Sequence, residues 1–168
     1  MRPMSCLLSA CLLMVLAPGA PADDKPANYL QDGKLAHTLE IRDVQGGFAG
    51  FTGRLWTVEP SGRWTLSRVM NQKAEVEKKG ELTKEELATL AKELARHDLA
   101  RLTSKAPGRP MANPHVVSIK FGKLDVSLTL GAGVPLPKPD PENPKATIEG
   151  RYAGIANAVQ QAVKGKKE

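Results

Sequence analysis

Three histidines, at 37, 97 and 115, are the side chains in this sequence best suited to metal ligation or general acid–base work. They fall in three separate segments, and no His-x-x-x-His or Glu-x-x-His spacing places two ligands on one helix face. His37 reads as a half-buried strand residue. His97, followed by Asp98, reads as a helix C-terminus, where a cation is favoured by the helix dipole. Asp43 reads as a turn residue rather than a general acid, and Glu81, Glu85 and Glu86 as a solvated helix face. A Gly-x-Ser-x-Gly nucleophile elbow does not occur, nor does a phosphate-binding loop leading into a helix. The expectation is therefore a protein with no catalytic residues, no metal site and no cofactor, and not an enzyme.

What does concentrate unusual residue types is Gly46-Gly47-Phe48-Ala49-Gly50-Phe51-Thr52-Gly53. Glycine permits positive φ and removes side-chain bulk, so the stretch reads as a bulged, tight crossover between two antiparallel strands, with positive φ assigned to Gly47. A second reading makes it a recognition loop that presents Phe48 or Phe51. Gly46, Gly47, Phe48, Ala49, Gly50 and Phe51 are accordingly the candidate partner-binding residues.

The ends of the chain bear on where such a loop would act. Arg2, the apolar run Cys6 to Ala17 and the small residues Ala20-Pro21-Ala22 predict a secretory signal peptide over residues 1–22. Leu8-Ser9-Ala10-Cys11 also resembles a lipobox, but the apolar run continues past Cys11, which makes lipoprotein anchoring the minor alternative. The apolar run is too short for a membrane span, and no other stretch reaches the ~20 apolar residues a span needs. A secreted or periplasmic protein without stable membrane insertion is expected. Both cysteines lie in the leader, so the remainder has no disulfide or thiol chemistry. The chain carries 24 Lys and Arg against 18 Asp and Glu, a net charge of +6. These charges are scattered and aromatics are few, which argues against nucleic acid as a partner.

The elements that hold the glycine stretch follow from periodicity. Residues 23–33 read as a polar lead-in and 34–164 as one domain, with a basic tail over 165–168. A first strand is predicted over 35–44, a second over 54–59 and a third over 63–69, the last two joined by the turn Glu59-Pro60-Ser61-Gly62. Residues 71–80 are polar and are expected to close this part of the sheet. Thr83 and Glu86 form a capping box, flanked by the apolar staple Leu82 and Leu87. The helix that follows carries Leu87, Leu90, Ala91, Leu94 and Ala95 on one face. A hairpin around Gly122-Lys123 pairs Phe121 with Leu124, Ile119 with Val126 and Val117 with Leu128, because only this register buries one apolar face. Residues 132–145 hold five prolines and read as a stiff, extended loop. A last helix over 146–163 aligns Ile148, Tyr152, Ile155, Val159 and Val163, with Gly150 and Gly154 expected to allow close packing on the sheet. The sum is an α+β fold: an antiparallel sheet of about five strands with two helices packed on one face.

On Gly46-Gly47-Phe48-Ala49-Gly50 and this order of elements, the chain resembles the emfourin family, small protein inhibitors of thermolysin-like metalloproteases. The resemblance covers about residues 34–163. It implies that an exported metalloprotease is the partner and that the glycine loop occludes its cleft, with Phe48 or Phe51 in an apolar pocket. The alternative is a non-catalytic structural or interaction module of the cell envelope.

Overall fold

The computed structural model describes residues 29–164. The predicted signal peptide, the lipobox at Cys11, the lead-in up to residue 28 and the basic tail 165–168 lie outside the described residues.

The fold is α+β, and its centre is a six-stranded antiparallel sheet. The described chain begins with a small hairpin, β1 (Leu30–Gln31) and β2 (Lys34–Leu35). Asp32 (φ 53°) and Gly33 (φ 75°) make its two-residue turn, the left-handed pair that an Asp-Gly dipeptide suits. Strands β3 (Leu39–Gly47), β4 (Gly50–Val58), β5 (Arg63–Met70) and β6 (Lys73–Glu81) then run as a continuous meander. After α1 (Lys84–Arg96) and one 3-10 turn (Leu99–Arg101), β7 (His115–Phe121) pairs with β3, and β8 (Leu124–Leu130) forms the far edge. The sheet order is β6-β5-β4-β3-β7-β8. Helix α2 (Ile148–Lys164) ends the described chain.

Six strands stand where about five were expected, because residues 71–80, read as closing the sheet, form the turn and most of strand β6. This strand has no apolar period to betray it: its residues 73–79 are exposed, with Lys and Glu throughout. Charged side chains of that kind suit an edge strand, where they discourage further pairing. The first strand also starts later and ends later than expected. Leu35 belongs to the small hairpin, and the glycines at 46, 47, 50 and 53 lie within strands rather than in a loop.

The core forms between one face of the sheet and the apolar stripes of both helices. Leu39, Ile41, Trp56, Val58, Val117, Ile119 and Leu128 meet Leu87, Leu90, Leu94, Tyr152, Ile155 and Val159 in one cluster. The capping box forms as read: Glu86 N–H donates to Thr83 Oγ1, and Thr83 N–H to Glu86 Oε2. The β7–β8 register is also as expected, Phe121 opposite Leu124, Ile119 opposite Val126 and Val117 opposite Leu128. Leu124 and Val126 are only half-buried because β8 is an edge. Gly154 serves a helix contact rather than a sheet contact. A Cβ there would fall 2.2 Å from the His97 ring, so the glycine lets α2 close on the end of α1. In β3 the buried positions change parity after Ile41: Val44 and Gly46 are buried, on the face opposite Leu39 and Ile41. Val44 and Val69 both pair with Gly53, whose missing side chain lets β3 close over β4.

Candidate partner-binding site

The β3–β4 hairpin ends in the two residues Phe48 and Ala49, flanked by the pair Gly47 and Gly50. Pairing continues to that last pair without a shift in register, so the expected bulge is absent from this ladder. Positive φ falls on Gly50 (93°), not on Gly47 as expected from the sequence. Gly50 is needed twice over, since a Cβ built there would lie 1.7 Å from Asn71 Oδ1. A Cβ on Gly47 meets only Gly50 O, at 3.7 Å, which is ordinary contact.

Asn71, in the neighbouring β5–β6 turn with φ 57°, fastens this side of the tip. Its Oδ1 accepts from Phe51 N–H at 3.0 Å, its own N–H donates to Phe51 O at 2.6 Å, and Arg42 donates to its carbonyl at 2.9 Å. The other side is fastened by loops from β7 and β8. Gly46 N–H donates to Pro114 O at 2.7 Å, and a Cβ at Gly46 would press on Asn113 and Pro114 at 3.0 Å. Gln45 donates through Nε2 to Asn113 O at 2.6 Å and accepts at Oε1 from Gly133 N–H at 3.3 Å.

Below these bonds lies a half-buried polar link. His115, 9% exposed, places Nε2 2.7 Å from Asp43 Oδ1 and Nδ1 2.6 Å from Val134 O. Both ring nitrogens face acceptors, so a ring protonated at both donates to both. Asp43 is therefore a mid-strand residue paired with Arg54 and Val117, not a turn residue. The other two histidines stand apart from it. His37 lies outside the strands and is exposed, with its ring edge-on to Phe121 at 5.3 Å between centroids. His97 caps α1 but is buried, and that desolvation is the main cause that lowers its pKa; the Pro144 carbonyl and Glu93 oppose the shift, while the Arg96 charge adds to it. It is thus the helix-end residue the sequence suggested, but buried, so that its protonated form is disfavoured there.

Of the six candidate residues, Gly46 is buried and Gly50 half-buried, while Gly47, Phe48, Ala49 and Phe51 are exposed. Phe48 is fully exposed, at 110% of its reference area, and Phe51 is 36% exposed. Other exposed apolar side chains lie at the same end of the sheet: Met70 beside Asn71, Met111 in the loop that leads into β7, and Val134 after β8. Only Val76 among the large exposed hydrophobics of the described residues lies away from these turns and loops. Sequence reasoning missed Met70, Met111 and Val134 because only the strand order places their turns and loops at the same end of the sheet as the tip. Asn71 was detectable in principle, since Asn is the commonest non-glycine residue in a left-handed turn position.

A phenylalanine held in water on a clamped turn cannot stabilise the core. It can enter a pocket on another molecule at little ordering cost. Among the described residues no helix is long and apolar enough to cross a membrane. A scan against protein-family models finds no match to the chain, and a search of curated proteins finds none either.

Proposed function

We propose that the chain is a non-catalytic binding protein whose hairpin tip, residues 46–51, enters the cleft of an exported thermolysin-like metalloprotease and occludes it. The observation that carries this reading is the full exposure of Phe48 on a turn fastened from both sides. The partner class comes from the emfourin resemblance, and action outside the cytoplasm comes from the signal peptide read in residues 1–22. In this mechanism Phe48 fills an apolar pocket, while Gly47 and Gly50 keep the approaching backbone slim. The clamps at Asn71 and Gln45 keep the tip in one shape, so little conformational freedom is lost on binding. Titrating the purified protein against thermolysin, with a peptide substrate as readout, tests it.

A second reading keeps the tip as the contact but gives it another partner, a protein of the cell envelope. The observation in its favour is that exposed Met70, Met111 and Val134 lie at the same end of the sheet as the tip, more apolar residues than one inserted loop requires. Inhibition of thermolysin supports the first reading, and its absence turns the argument to the second.

A further inference from the structure

The His115 ring bridges strand β3 to the loop that follows β8. Its Nε2 lies 2.7 Å from Asp43 Oδ1 and its Nδ1 2.6 Å from Val134 O. A peptide carbonyl and an ionised carboxylate can only accept, so both bonds exist together only when the ring is an imidazolium. A neutral ring carries one N–H, and its other nitrogen then sets a lone pair against an oxygen at this distance. Imidazole is the side chain that gains and loses its proton between pH 5 and 8.

What the ring holds bears on the hairpin tip. Among the described residues, two hydrogen bonds tie residues 131–134 to the rest of the fold: His115 to Val134 O, and Gly133 N–H to Gln45 Oε1 at 3.3 Å. A third, from Val134 N–H to Gly131 O at 3.1 Å, closes the loop on itself. Gln45 stands directly opposite His115 in β3, and its Nε2 donates to Asn113 O and Gly46 O on that side of the tip. Asp43 is the charged group that faces the ring from β3, and exposed Arg54, Arg68 and Glu75 follow it along the same row of the sheet. Strand β8 sets Leu130 opposite the ring, and residues 131–137 carry no titratable group. In the two flanking loops Arg109, Lys138 and Asp140 are exposed.

We propose that His115 is a pH switch on the hairpin tip: protonated, it locks the 131–134 loop and with it the Gln45 side of the clamp, and neutral, it releases that side. The proton lost is the one on Nδ1, because the carboxylate is the stronger acceptor and keeps the Nε2–H. The carbonyl of Val134, an exposed residue, then turns to water, and Gly133 lets go of Gln45 Oε1. The Asn71 side of the tip, fastened through Phe51, stays as it is at either pH. A role in regulating binding rests on the function proposed above for the tip. The switch itself does not, and it is tested on the free protein.

The test is NMR on the purified protein between pH 5 and 8. The ¹⁵N shifts of the His115 ring should show both nitrogens protonated at the acid end and Nε2–H alone at the basic end. Over the same step the exchange protection of Gly133 N–H, corrected for its intrinsic rate, should fall about tenfold or more, while that of Phe51 N–H holds. Two variants fix the donor chemically. His115→Asn carries an amide N–H where Nδ1 stands, so Gly133 should keep its acid-end protection throughout. His115→Gln carries it where Nε2 stands, so Gly133 should show the lower protection throughout. A ring in one protonation state across the range, Gly133 protection that does not change in the wild-type protein, or an equal change in His115→Asn would each overturn the proposal.

Discussion

Replacing Gly50 by alanine probes the clamp that the binding account depends on, and its cost can be worked from the geometry. The residue sits at φ 93°, where an L-side chain is strained by about 1–2 kcal/mol. Its new Cβ would lie 1.7 Å from Asn71 Oδ1 and 2.8 Å from Cγ, so the Asn71 side chain must leave. The bond from Phe51 N–H at 3.0 Å then breaks, at a further ~0.5–1.5 kcal/mol. Gly50→Ala should therefore destabilise by about 2–3 kcal/mol, whereas Gly47→Ala, with only ordinary contact and no positive φ, should cost under about 1 kcal/mol. Asn71→Gly removes the obstructing side chain and tolerates φ 57°, so in that background Gly50→Ala should lose its clash and keep only its backbone strain. The coupling between the two positions should thus approach 1 kcal/mol, read from urea midpoints of the four proteins. Strict additivity, or a larger loss for Gly47→Ala than for Gly50→Ala, would refute the clamp.

Further tests address the scaffold. Leu90 is 2% exposed in the middle of the α1 stripe, so Leu90→Ala should cost about 2–5 kcal/mol, against ~1 kcal/mol for Thr83→Ala at the exposed cap. Denaturant midpoints that reverse this order would mean that α1 is not docked on the sheet. Burial lowers the pKa of His97 from 6.5, so the unfolded chain takes up a proton at that site before the folded one does. Stability from this group is then full above pH 6.5 and declines as pH falls from there toward the lowered folded value. The NMR titration of the His97 ring should have its midpoint below 6.5, and a midpoint above it would contradict the burial argument.

Much of this architecture is legible where local chemistry and tertiary packing agree. The Thr83–Glu86 cap, the α1 stripe and the β7–β8 register were readable because each has only one arrangement that buries its apolar residues. Strand β6 was not, because an exposed edge needs no apolar alternation and its charges mimic a loop. The β1–β2 hairpin carried the Asp32-Gly33 signal but has only two residues per strand, too few to show a period. The candidate tip was legible as a cluster of glycines and phenylalanines. Which glycine takes positive φ was not, since that depends on Asn71, twenty-one residues away in sequence and set beside it only by the β4–β5 pairing. The Asp43–His115 link was equally hidden, as 72 residues separate its partners.

The claim at the centre of this account is that Phe48 contributes to a complex and not to the fold. Inhibition of thermolysin and melting temperature, measured together on the wild-type protein and on Phe48→Ala, test it most directly. The account predicts inhibition by the wild-type protein at micromolar concentration or below. The variant should weaken it by about 2 kcal/mol, roughly thirtyfold, because an exposed aromatic anchor is a typical hot spot. Its stability should change by no more than about 0.5 kcal/mol, as for a surface substitution. No inhibition by the wild-type protein, or a variant that melts early and inhibits equally well, would contradict it.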